Sequence, residues 1–224
     1  MELKGKIIDF LGDSITEGVG VTDRANNRYD NVLKKNAGLA ATYNYGIGGT
    51  RLAYQQNPSA KARWDLCFCG RAYDLNKDVD IIVVYGGVND YIHGDAPFGR
   101  IGDTTQATFC GAVYFLMNLL RTEYPGKSVV FMTPARLSFD GDDGTKPSTR
   151  PEKQPDAKPL SEYIHIIEQT AAQFNIPVLN LYEKLDIDPV NPADNEKYTV
   201  DGLHFNDAGH AVIAERLQAF LEAL

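Results

Sequence analysis

Short apolar runs alternate along the chain with longer segments whose apolar residues recur at helical spacing. Lys6 to Leu11, Ala40 to Tyr45, Val79 to Tyr85, Ser128 to Met132 and Ile176 to Leu181 are runs of the first kind, and each predicts a strand. Val79 to Tyr85 is the clearest of them: it is rich in β-branched residues, follows a charged stretch and exits into Gly86-Gly87. Between these runs, Tyr29 to Ala37, Ser59 to Tyr73, Thr104 to Tyr124, Leu160 to Phe174 and the stretch from an Asn206 cap to Leu221 predict helices. Within Thr104 to Tyr124, the residues Phe109, Val113, Leu116, Met117 and Leu120 share one helical face. Strands alternating with helices predict a parallel sheet, because parallel neighbours need long crossovers, and right-handed crossovers place helices on both faces. The chain has no internal repeat and reads as one domain over residues 1–224. Ser138 to Pro159, rich in Asp, Gly, Lys and Pro, reads as an exposed insertion, a candidate lid or subunit contact.

The predicted strand ends carry the chemistry. The first strand runs into Gly12-Asp13-Ser14, the second into Asn44-Tyr45-Gly46-Ile47-Gly48-Gly49-Thr50, and the third into Gly86-Gly87-Val88-Asn89-Asp90. In an open α/β sheet these exits share the carboxyl edge, where ligands bind. Near the other end, Asp201-Gly202-Leu203-His204 offers a carboxylate and an imidazole three residues apart. Each segment alone is also an ordinary turn, since Gly, Asn, Asp and Ser all favour turns. Together, a serine, a histidine and an aspartate are the parts of a nucleophilic acyl-transfer site.

The four blocks, in this order and bracketing nearly the whole chain, resemble those of the SGNH (GDSL-type) hydrolases. The resemblance implies a three-layer α/β/α fold on a flavodoxin-like parallel sheet of about five strands. It also implies a serine esterase working through an acyl-enzyme. Ser14 is then the nucleophile, His204 the base and Asp201 the acid that orients it. The backbone N–H groups of Ser14 and Gly49 and the side-chain amide of Asn89 become the oxyanion donors. Asp13 and Asp90 are expected to hold their turns. Arg51 is a candidate pocket cation and His93 a candidate pocket residue. Trp64 reads as a buried helix-face aromatic, with a sugar-stacking platform as the other reading. His165 is expected at the surface or in packing, and His210 carries no assigned function.

Charge and cysteine content narrow the field. There are 22 Lys and Arg against 30 Asp and Glu, a net charge of −8, which argues against non-specific nucleic-acid binding and against anionic membrane surfaces. No run is long enough to span a bilayer. Nor does the start from Met1 carry a secretory apolar segment. If Met1 is the native start, a cytoplasmic protein is expected. Cys67, Cys69 and Cys110 read as packing thiols. No metal or other cofactor is implied. The expected substrate is a small-molecule or carbohydrate ester with a short acyl group such as acetyl. A lipase, lysophospholipase or thioesterase of the same family is the alternative. Readings from other classes are a metal-assisted phosphoesterase using Asp13, Asn89 and His204, and an inactive binding module. A homo-oligomer built through the insertion is a further expectation.

Overall fold

A computed structural model describes residues 1–138 and 158–224. Its sheet is five-stranded and wholly parallel, in the order β2-β1-β3-β4-β5. The strands are β1 (Ile7–Gly12), β2 (Ala41–Gly46), β3 (Ile81–Tyr85), β4 (Ser128–Met132) and β5 (Val178–Leu179). This is the expected flavodoxin-like order. The direction of winding reverses between β1 and β3, so a crevice opens at the carboxyl ends of those two strands.

Alternation along the strands builds two cores. Ile8, Phe10, Ile81, Val83, Val130 and Met132 point to one face, packed on α3 (Tyr29–Ala37) and α10 (Asp207–Glu222). Leu11, Ile82, Val84, Val129 and Phe131 point to the other, packed on α6 (Phe109–Glu123) and α7 (Leu160–Gln173). Three layers result, because β3 is buried along its whole length and needs cover on both sides. Asn206 caps α10, its side chain accepting from Ala208 N and Gly209 N.

Some expectations are corrected. Ser59–Tyr73 is not one helix: it breaks into 3₁₀ turns at Ala62–Asp65 and Ala72–Asp74 around the short helix α4 (Phe68–Arg71). Cys67 is in extended backbone, and Phe68 N donates to Arg51 O, so the segment lies down on the loop after β2. The helix expected from Thr104 begins at Phe109, where Thr108 caps it, and the last strand contracts to two residues. Short helices were not expected at α1 (Ser14–Glu17), α2 (Arg24–Asn27), α5 (Val88–Ile92), α8 (Leu181–Lys184) and α9 (Pro192–Tyr198). Apart from Ser138 and residues 158–159, the expected insertion falls outside the described residues. Among the described residues no helix is long and apolar enough to cross a membrane. All three cysteines are free and buried.

Candidate active site

Ser14 is the first residue of α1, at the tip of β1. Asp13 caps that helix, accepting from Ile15 N at 3.0 Å, and is only 1% exposed. Its burial pushes the carboxyl up to about 6, against the opposing pull of the Ile15 N–H, His204 and Arg71. Gly12 lets the turn close, because a Cβ there would meet Thr16 Oγ1 at 1.9 Å. Behind the turn lies the buried Arg71. Its guanidinium donates to Gly12 O at 3.1 Å, to Thr50 Oγ1 at 2.9 Å and to Tyr45 O. It thereby ties the end of β1 to the end of β2.

His204 arrives from a chain segment 190 residues away, on the loop between α9 and α10. Its Nε2 lies 2.9 Å from Ser14 Oγ, and its Nδ1 lies 2.7 Å from Asp201 Oδ2. Asp201 Oδ1 accepts from Leu203 N and His204 N at 3.0 and 2.7 Å, so this carboxylate also shapes the turn that carries the imidazole. Partial burial opposes the charge on Asp201, but the hydrogen bonds from His204 and Leu203 outweigh it and hold the carboxyl below its usual range. A carboxylate on Nδ1 favours the tautomer with the proton there, leaving Nε2 free to accept from the serine hydroxyl.

Opposite this pair stands a wall made by the loops after β2 and β3. Asn89 lies in α5, 5% exposed; its Nδ2 donates to Thr50 O at 3.1 Å, and its Oδ1 is 2.9 Å from His93 Nε2. Asp90 accepts from Leu52 N and Ala53 N at 2.9 and 3.0 Å. It holds the neighbouring loop, where the expectation was that it held its own turn. Gly49 has φ +79°, and a Cβ there would lie 2.2 Å from Trp64 Cδ1, so only glycine lets the indole close over this backbone.

Ser14, Gly49, Asn89, His93 and His204 line one cleft of about 470 Å³. Arg51 does not. It is 2% exposed, and its guanidinium turns inward to Gly49 O (3.1 Å), Ser59 Oγ (2.6 Å) and Asp65 Oδ1 (3.4 Å), so it is a structural cation rather than a pocket one. Trp64 is likewise corrected: it is half-buried on a 3₁₀ turn and walls the cleft. The cations that do line the cleft, Arg24, Lys61 and Arg63, were not expected, nor was Glu17, which pairs with Arg63 at 3.0 Å and accepts from Gly48 N at 2.6 Å. The close spacing of Lys61, Arg63 and Trp64 was the available sequence signal.

Elsewhere, His165 is exposed on α7. His210 is fully buried, stacked on Tyr29, and accepts from Tyr29 N at Nδ1. Among the described residues no group of three or more His, Cys, Asp and Glu side chains converges as a metal site.

The model of the GDSL-like lipase/acylhydrolase family matches residues 10–212. The chain belongs to this family. Among solved structures, a protein from Lactobacillus plantarum is 31% identical, covers 98% of both chains and superposes with a TM-score of 0.81. Another is 29% identical over 100% of this chain and 99% of its own, with a TM-score of 0.84. A carbohydrate acetylesterase family member from Sinorhizobium meliloti, 17% identical over 97% of this chain and 98% of its own, has a TM-score of 0.64 and shares the fold. No functionally curated protein matches the chain. As a GDSL-like hydrolase, the protein is an enzyme that hydrolyses ester bonds.

Proposed function

We propose that this hydrolase is a serine esterase that works through an acyl-enzyme on short acyl esters of small molecules or carbohydrates. The observation that carries the reading is the unbroken line Ser14 Oγ–His204 Nε2 and His204 Nδ1–Asp201 Oδ2, at 2.9 and 2.7 Å, opening into the cleft. In this reading His204 takes the Ser14 proton as Oγ attacks the ester carbonyl. The resulting imidazolium is stabilised by Asp201, which stays ionised. His204 then protonates the leaving alcohol, leaving Ser14 acylated. A water activated by the same ring hydrolyses the acyl-enzyme and restores the serine.

The tetrahedral oxyanion would be met by Ser14 N–H, Gly49 N–H and the amide proton of Asn89 that Thr50 O does not use. Three features support a short, polar ester over a long hydrocarbon chain: the modest cleft volume, the Trp64 face and the charged wall of Arg24, Lys61 and Arg63. An unbroken alkyl chain would desolvate this charged wall, including the Arg63–Glu17 pair, and offer it no polar partner.

The test is hydrolysis of p-nitrophenyl esters from acetate to long chain by wild type and Ser14→Ala, each with and without chelator. Turnover that peaks at acetate, is lost in Ser14→Ala and ignores chelator supports the reading. Chelator-sensitive turnover that survives Ser14→Ala moves the chemistry to a metal. A preference for long chains moves the substrate to lipids.

A further inference from the structure

The donors and acceptors around Asn89 can be assigned one by one, starting from groups that have only one role. Arg51 can only donate. Its Nη1 lies 3.5 Å from His93 Nδ1, the outer limit of a hydrogen bond, and the cation leaves that nitrogen its lone pair. The His93 proton then resides on Nε2, which faces Asn89 Oδ1 at 2.9 Å and donates to it. The Asn89 oxygen is thereby committed to His93 and its nitrogen to the opposite side, where Thr50 O, which can only accept, takes one proton at 3.1 Å. The second amide proton is left for the cleft. The Trp64 ring lies 5.5 Å from the His93 ring and limits its rotation.

We propose that His93 is a positioning residue that fixes the Asn89 amide with its N–H toward the cleft, and that the buried Arg51 sets the His93 tautomer this requires. The proposal rests on Asn89 being an oxyanion donor. The same guanidinium donates to Gly49 O at 3.1 Å, so one buried cation braces both of the donors that Ser14 does not itself supply. Arg51 is in turn pinned by Ser59 and Asp65. An amide turned by half a rotation would point its oxygen at the developing anion, and misplacement of a catalytic group by about 1 Å can cost on the order of 10²-fold in rate.

The test compares His93→Ala, His93→Gln and His93→Asn, alone and in an Asn89→Ala background, on p-nitrophenyl acetate. The Gln amide nitrogen reaches the position of His Nε2; the Asn amide nitrogen reaches only that of Nδ1. His93→Ala and His93→Asn are expected to lower kcat about 10- to 100-fold with KM nearly unchanged. His93→Gln recovers most of the loss, and His93→Ala adds nothing once Asn89 is Ala. Equal behaviour of Gln and Asn, or a full His93→Ala effect in the Asn89→Ala background, overturns the proposal. Wild-type kcat in Asn89→Ala alone overturns the oxyanion role of Asn89, and this proposal with it. A failure of the serine mechanism itself is read separately, as retained turnover in Ser14→Ala.

Discussion

The two sides of Ser14 are built in opposite ways. On one side, Asp201 and His204 sit three residues apart on a surface turn, their side chains 45% and 18% exposed, and they bond mainly to each other. On the other side, Asn89 and Asp90, 5% and 3% exposed, reach across to the loop after β2, and Arg51 on that loop, 2% exposed, braces Gly49 and meets His93. In the proposed mechanism, the group that moves a proton is held locally and stays near water. The proposed oxyanion donor Asn89 and its neighbour Asp90 are held by long-range bonds in a buried wall. The contrast follows from the tasks. A base has to exchange its proton and ring charge each cycle, whereas electrostatic stabilisation depends on dipoles that do not reorient.

Paired variants break the comparison most sharply. His204→Ala is expected to lower kcat by on the order of 10⁴- to 10⁶-fold while leaving the melting temperature close to wild type, because the turn keeps its backbone bonds to Asp201. Asn89→Ala is expected to lower kcat by a smaller factor, about 10²–10³. Unlike His204→Ala, it should also depress the melting temperature, since Thr50 O and His93 lose a buried partner. Equal thermal effects in the two variants would remove the distinction between the walls.

A sharper version leaves the chemistry aside. Asp90→Ala strips the acceptor from Leu52 N and Ala53 N, two amides enclosed by the fold. An unsatisfied buried donor costs about 1–3 kcal/mol, so urea unfolding should show a loss of about 2–6 kcal/mol. Asp201→Ala, judged by the same measurement, should lose far less.

The smallest expected effect separates both walls from the scaffold. Burial, helped by Arg28 and opposed by Asp207, pushes His210 down to about 3. The unfolded chain takes up this proton below about 6.5 and the folded chain does not. The stability His210 contributes is therefore present above that pH and lost progressively as pH falls toward 3. Asp9 and Asp13, both raised to about 6 chiefly by burial, act with the opposite sign: their protonation on acidification favours the folded state. Wild type should therefore show a shallow net slope of stability between pH 6 and 4. His210→Gln should be comparatively more stable on the acid side, by a difference on the order of a few kcal/mol in pH-dependent denaturation.

Much of this was legible in the sequence, for physical reasons that differ from place to place. β3 was plain because a strand covered on both faces is written as an unbroken apolar run bounded by charge and glycine. Ser14, Asp201 and His204 stood out as candidates because four glycine-containing blocks occur together and in order, each block alone being an ordinary turn. Ser59–Tyr73 misled because its apolar spacing fits a helix, while the Asp65 carboxylate takes up Ser59 N and Cys67 turns extended. Arg51 misled because its sequence neighbours say nothing of Asp65 and Ser59, which draw its charge inward. The Arg71 clamp on Gly12, Tyr45 and Thr50 likewise spans up to 59 residues and leaves no local pattern.

The short turn from Asp201 to His204 gives the proposed acid–base pair the character of a cassette. Acid, base and the backbone amides that orient the acid all fit within four consecutive residues. A rigid shift of this turn changes only the distance from His204 to Ser14, because the imidazole carries its carboxylate with it. In the proposed mechanism, reactivity at the serine can therefore be tuned by the anchoring of one loop, through Val200 N to His204 O and Ser138 N to Gly202 O, without the ring losing its tautomer.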